Sequence, residues 1–232
     1  MSRKKRREPS HTGKPIGSWA IAAVAVLVLI FALAAATFLY EAGDVGPSPD
    51  DTAPRQAALA SEHSPSLGDP RARVHIVEFL DPACGTCARF YPMVKQWMKE
   101  VPDDLRLSVR HLAFHTGADY AVRVLEASRA QDKYWETLET LLATQERWVR
   151  NHVVIQDQVL PAIAGVGLDI DRLLFDMTSD EITRRIERDK RDAVYLQIRA
   201  TPEYFVNGRS LPSFGPQQLL DLIREELGNS DD

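Results

Sequence analysis

The chain of 232 residues has only two cysteines, and they form a single C-x-x-C, Cys84-Gly85-Thr86-Cys87. An apolar run from Val74 to Leu80 precedes the pair, and apolar residues at helical spacing follow it from Ala88 to about Val101. A strand, a short turn and a helix opening on paired cysteines restrict the chain to folds that hold a thiol at a helix N-terminus. Unpaired backbone N–H groups and the positive end of the helix dipole favour thiolate over thiol there. A separation of three along a helix also returns the second sulfur toward the first, so an intramolecular disulfide can open and close.

Two other uses of such a pair fit less well. Structural zinc takes four ligands, and there is no second cysteine pair. Of the six histidines, His11, His63, His75, His111, His115 and His152, only His111 and His115 approach a zinc spacing, and they straddle an expected strand end. They read as structural residues. A permanent bridge over so short a loop removes little chain entropy, so stabilisation is a poor reason for it. Neither a metal nor a cofactor is expected.

The chain is 44% hydrophobic and 26% charged, which suits one globular domain with appendages. The appendages lie at the front. Residues 3–7 read Arg-Lys-Lys-Arg-Arg, and from Pro15 to Tyr40 there is no charged residue. The apolar run from Trp19 to Tyr40 is long enough to cross a bilayer as a helix, with an amphipathic aromatic at each end. Residues 1–15 are expected to be a cytoplasmic basic tail and 16–40 a transmembrane signal anchor. By the positive-inside rule everything after the anchor is extracytoplasmic, in the periplasm or at the cell exterior. Ala32-Leu33-Ala34 also resembles a signal-peptidase site, but the run exceeds the 7–15 residues of an ordinary signal core, which favours the anchor. Either outcome exports the cysteines to a compartment where disulfides persist.

Charge agrees with that topology. Residues 41–232 hold 22 Lys/Arg and 32 Asp/Glu, a net charge of −10, so no nucleic-acid partner is expected. Residues 41–66 are rich in Pro, Ser, Ala, Asp and Gly and read as a flexible linker, with room for a short helix at 55–61.

Strands are expected at 73–80 and 105–114, and helices at 119–130, 133–147, 154–166, 170–177, 181–198 and 216–227. Residues 200–211 contain Asn207-Gly208 between strand-like runs, a hairpin signal. Pro92 falls inside the helix that follows the cysteines. Glu78 stands out in its apolar strand, because alternation places it on the same face as Ile76 and Leu80. A carboxyl buried there has a raised pKa and exchanges protons near neutrality.

These features, taken in order, resemble the DsbA-like thiol:disulfide oxidoreductases of the thioredoxin superfamily. Glu78 lies six residues before Cys84, where that family carries a buried acid. Cys84–Cys87 matches the redox motif, Pro92 the helix proline, and Thr201-Pro202 followed by Glu-Tyr-Phe-Val-Asn-Gly the cis-proline and hairpin. The resemblance covers about residues 67–228 and implies an α/β fold. A thioredoxin-like core at 67–113 and 179–228 would be interrupted by a helical insertion at 114–178 and followed by a tail at 229–232. It further implies a cis Pro202 against the cysteines, with the Thr201 backbone free to pair with an extended substrate segment. The Gly85-Thr86 dipeptide, which tunes redox potential in this family, matches neither the strong oxidants nor the reducing thioredoxins.

The expected catalytic residues are Cys84, Cys87 and Glu78, and the expected substrate-binding residues are Thr201 and Pro202. The expected activity is disulfide exchange with exported proteins that carry thiols or disulfides. It would run as an oxidase recharged by a quinone-linked membrane partner, or in reverse as a reductase or isomerase fed by an electron donor. A binding or chaperone module with a fixed disulfide is the non-catalytic alternative.

Overall fold

The computed structural model describes residues 52–59 and 61–228. The expected basic tail at 1–15, signal anchor at 16–40 and tail at 229–232 lie outside the described residues. Among the described residues no helix is long and apolar enough to cross a membrane.

A five-stranded sheet organises the domain. Its strands are β1 (Ser66–Leu67), β2 (Val74–Leu80), β3 (Leu105–His111), β6 (Glu203–Val206) and β7 (Arg209–Ser210), in the spatial order β1-β3-β2-β6-β7. Helix α2 (Gly85–Glu100) joins β2 to β3, and these two strands run parallel, as a βαβ crossover requires. The remaining pairs are antiparallel. The β6–β7 hairpin turns on Asn207 and Gly208, both at positive φ (47° and 83°), as a two-residue turn needs to match strand twist.

Side-chain alternation divides the core between the two faces of β2. Val74, Ile76 and Leu80 pack in the larger cluster with Phe90, Tyr91, Val94 and Met98 of α2. Leu219, Leu222 and Ile223 of α9 (Pro216–Gly228) belong to the same cluster. Val77 and Phe79 face the other way. They pack with Ala58 and Leu59 of α1 (Thr52–Leu59), Phe205, and Ala193 of α8 (Asp180–Tyr195). Truncating any of these large buried side chains to alanine is the kind of change that costs about 2–5 kcal/mol.

The linker expected at 41–66 is corrected from Thr52 onward. Ala58 and Leu59 are buried, and Ser66–Leu67 adds a strand to the sheet edge. Arg55 hydrogen-bonds to the oxygens of Gly208 and Ser210 and lies 5.3 Å over the Phe205 ring. A composition rich in Pro and Ser describes the segment but carries no information about this long-range docking.

Between β3 and α8 the chain forms α3 (Ala118–Ser128), α4 (Tyr134–Ala143), α5 (Gln145–Trp148), α6 (Gln156–Ala162) and α7 (Ile170–Asp176). Four expected boundaries are corrected here. The second strand ends at His111 rather than 114, where Leu112 N bonds back to Leu80 O and the chain turns away. The first insertion helix ends at Ser128 and tightens into a 3-10 turn, Arg129–Gln131. The helix expected at 133–147 breaks at Thr144, whose backbone leaves helical geometry at φ −112° and ψ 18°. The helix expected at 154–166 shrinks to α6, because a small ribbon of β4 (Val149–Arg150) and β5 (Val153–Val154) precedes it.

Candidate active site

The end of β2 delivers Asp81, Pro82 and Ala83 into a turn that opens α2. Asp81 fixes the turn. Its backbone oxygen accepts from Cys84 N at 2.9 Å, and its carboxylate accepts from Ala83 N at 2.8 Å. The other carboxylate oxygen accepts from Phe114 N (2.8 Å), His115 N (2.9 Å) and the His115 ring (2.8 Å). The segment after β3 is thereby tied to the turn that carries the cysteines. Cys84 is the N-cap of α2, with extended φ/ψ of −78° and 117°, and its carbonyl accepts the first helical bond from Ala88 N. Its sulfur therefore stands where the first backbone N–H groups of the helix are unpaired.

Both cysteines are free thiols, Cys84 at 6% exposure and Cys87 at zero. The Cys84 pKa is lowered from its usual 9.0 to about 5. The hydrogen bond from the Cys87 thiol is the largest cause. The backbone N–H groups of Cys87 and Thr86 and the Thr201 side chain add to it, against the opposing effect of burial. Burial pushes the Cys87 thiol far up and keeps it protonated. The first sulfur is thus a thiolate at neutral pH, and the second is its proton-bearing partner.

The Thr201–Pro202 peptide bond is cis, and in the protonated state Cys84 Sγ donates to Thr201 O across 3.2 Å. Pro202 is buried and Thr201 half-buried. Gly85 has room for ordinary contact at a Cβ, so its backbone does not demand glycine. Thr86 accepts a hydrogen bond from Arg89 at 3.0 Å.

Glu78 is fully buried beneath the pair, on the face that alternation indicated. One oxygen accepts from Tyr204 OH at 2.9 Å, and the other has no partner among the described residues. Tyr204 sits opposite it in the β2–β6 register. Desolvation raises the Glu78 pKa from 4.5 to about 8; the Tyr204 hydrogen bond opposes this and the Cys84 charge adds to it. A carboxyl in that range gains and loses a proton near neutral pH, and its charge in turn raises Cys87.

An open groove of about 480 Å³ leads to Cys84. It is lined by Cys84, Gly85, Thr86, Arg89, Phe114, His115, His152, Arg199, Ala200 and Thr201. The structure therefore brings Cys84, Gly85, Thr86 and Thr201 to one groove and leaves Glu78 behind it in the core. Spacing pointed to none of Asp81, Arg89, His115, His152, Arg199 or Tyr204. His115, read as a structural residue, is held by Asp81 but also faces the groove. His111 lies inside the core, where Tyr134 OH meets its Nε2 at 2.9 Å.

The family model described as Thioredoxin matches residues 60–225. The chain belongs to the thioredoxin family. This thioredoxin-family chain is similar to a thioredoxin-like oxidoreductase from Silicibacter pomeroyi DSS-3. The two share 28% identity and a TM-score of 0.65, over 75% of this chain and 98% of that one. Wolbachia pipientis alpha-DsbA1 shares the fold at 18% identity and a TM-score of 0.64, over 75% of this chain and 96% of its own. A curated relative, the Na(+)/H(+) antiporter NhaA of Herminiimonas arsenicoxydans, is 33% identical over 144 residues, which is 62% of this chain. The chain spans 22–25% of the length of the first curated relatives it matches.

Proposed function

We propose that the Cys84–Cys87 pair oxidises exported proteins, and that residues 16–40 hold the domain at the extracytoplasmic face of a membrane. The observation that carries the direction is the low pKa of Cys84, about 5. A stabilised thiolate lowers the free energy of the reduced enzyme, which makes its disulfide the better electron acceptor. The thiolate is also the better leaving group.

The reaction balances as follows. A substrate thiolate attacks Cys84 Sγ of the enzyme disulfide, the Sγ–Sγ bond breaks, and Cys87 leaves as a thiolate that takes up a proton. Glu78, with its pKa near 8, is the proton source at that position. A second substrate thiolate attacks the substrate sulfur of the mixed disulfide and expels the Cys84 thiolate. The substrate has lost two electrons and gained a disulfide. The enzyme holds the Cys84 thiolate and the Cys87 thiol, and a quinone-linked membrane partner takes the electrons back. The carbonyl of Thr201, beside Cys84 Sγ, offers an extended substrate segment a strand-like hydrogen bond.

The reduction potential of the purified domain, equilibrated against glutathione buffers, tests the direction. A value more positive than about −200 mV is expected. A value near the −270 mV typical of thioredoxin would make the pair a reductase instead. The anchor has its own test: a mature membrane-fraction chain that begins shortly after Ala34 would refute it.

A further inference from the structure

The groove at Cys84 is cationic on a domain that is acidic. Arg89 stands on the first turns of α2, just past Cys87, and is exposed. Arg199 is exposed and lines the same groove, two residues before Thr201. Among the described residues neither guanidinium has a carboxylate partner, whereas half of the arginines there do. Two imidazoles continue the wall: His115, fixed by Asp81, and His152, stacked on it with ring centroids 5.6 Å apart. None of the residues that line the groove is an aspartate or glutamate. Residues 52–228 around it hold 22 Lys/Arg and 26 Asp/Glu, a net charge of −4.

That local reversal of sign calls for an explanation. Several arginines elsewhere in the domain are neutralised by carboxylates, as Arg123 is by Asp119, Arg185 by Glu181 and Arg209 by Glu225. Arg89 and Arg199 instead flank the accessible sulfur with their charge uncommitted. A peptide paired with the Thr201 carbonyl would carry the residues beside its cysteine between them.

From this arrangement we infer that the groove selects acidic substrate segments, with aspartate or glutamate next to the reacting cysteine. The inference rests on the exchange reading above and adds the substrate class. Charge complementarity in a cleft acts mainly on encounter, raising the on-rate by about tenfold or more at low ionic strength. Basic segments are turned away by the same field.

The test uses the oxidised protein and three dithiol peptides of one length, identical except that Asp/Glu, Asn/Gln or Lys/Arg flank the cysteines. Each exchange forms one peptide disulfide and reduces one enzyme disulfide, and is followed by acid quench and alkylation. Every rate is divided by that peptide's rate with hydroxyethyl disulfide, which removes differences in intrinsic thiol reactivity. At about 20 mM salt the acidic peptide is expected to react roughly tenfold faster than the basic one, with a smaller ratio at 0.5 M. In the Arg89→Gln/Arg199→Gln variant the acidic-to-basic ratio should fall toward one. Equal normalised rates for all three peptides on the wild-type protein would overturn the charge selection and leave the exchange reading standing. A basic preference would do the same. No exchange with any peptide would overturn both.

Discussion

Two carboxylates are buried on opposite faces of the same sheet, and their surroundings are opposite in kind. Asp189, on α8, lies against β3. It accepts from Arg110 Nε at 2.6 Å, His63 Nε2 at 2.7 Å and His111 N at 2.8 Å. Burial alone would raise its pKa, but these donors outweigh it and hold the carboxyl below the usual range. Arg110 is itself fully buried, and it also bonds Asp192 and the Ala58 carbonyl. Among the described residues Glu78 has one donor and one oxygen without a partner, and its pKa is raised to about 8. The satisfied cluster fastens α1 and α8 to the sheet. The under-satisfied carboxyl contributes little to holding the fold and keeps a proton available beneath the cysteines. Of these two carboxylates, the fully paired one serves structure and the incompletely paired one is placed for chemistry.

The largest effect should come from the chemical side. Cys84→Ser should abolish exchange while leaving the fold intact, and Cys87→Ser should accumulate mixed disulfides on Cys84. Non-reducing gels of the two variants with a thiol-bearing substrate check this. Adducts on the Cys84→Ser protein instead would reverse the assignment of nucleophile and resolving thiol.

On the structural side, Arg110→Met leaves Asp189 buried with its principal cation gone. Removing one partner of a buried pair costs about 3–5 kcal/mol. Urea unfolding should show that loss, while the exchange rate per folded molecule stays near that of the wild type. An unchanged stability would mean that His63 and the His111 N–H suffice for Asp189.

Glu78→Gln should move both quantities in the opposite sense. Exchange should slow roughly tenfold or more through loss of the proton carrier. Stability should rise on the order of 3 kcal/mol, because a carboxyl whose folded pKa is about 8 is costly to ionise inside the core. The sign with pH is definite. Below the unfolded pKa of about 4.5 the carboxyl is neutral in both states and the gain is absent. The gain grows as pH rises from there to about 8 and then levels. Asp189, with its pKa lowered, behaves the other way: its contribution is present above the unfolded pKa of about 3.8 and is lost on acidification. Denaturation midpoints from about pH 2 to 9 distinguish the two, and a pH-independent gain for Glu78→Gln would refute the buried titration.

Tyr204→Phe should give the smallest effect. The hydroxyl donates the one hydrogen bond that opposes the upward shift of Glu78, so its loss should move the inflection of the pH–rate profile upward. A rate loss of about threefold at pH 7 and a stability loss of about 1 kcal/mol fit one neutral hydrogen bond. An unmoved profile would show that Glu78 titrates independently of Tyr204.

The chemical side of this contrast was more legible in the sequence than the structural side. The cysteine pair, the proline of Thr201-Pro202, the Asn207-Gly208 turn and the misplaced Glu78 are local signals, each readable within a few residues. The satisfied cluster joins residues 58, 63, 110, 189 and 192, and no spacing rule connects them. Arg110 even alternates as if buried and charged without a partner, because its partners arrive from a helix about 80 positions later. Residues 52–66 were read as linker for the same reason: only the fold supplies the hydrophobic surface that Ala58 and Leu59 cover. Within the candidate site, Arg89, Arg199 and His115 were illegible because the groove that unites them is assembled from four separated segments.

The sheet ends on both sides in strands only two residues long, Ser66–Leu67 and Arg209–Ser210. On the second edge Arg209 is engaged by Glu225 and Glu226 of α9, and Arg55 of α1 covers the Gly208 carbonyl and the Ser210 hydroxyl. Unfinished chains seek exposed backbone to zip onto, and a long bare strand would template their aggregation. Here the rims leave almost no ladder to extend; under the function proposed above, an unfolded client would instead find its backbone partner at the loop beside the sulfur, where contact would end in exchange and release.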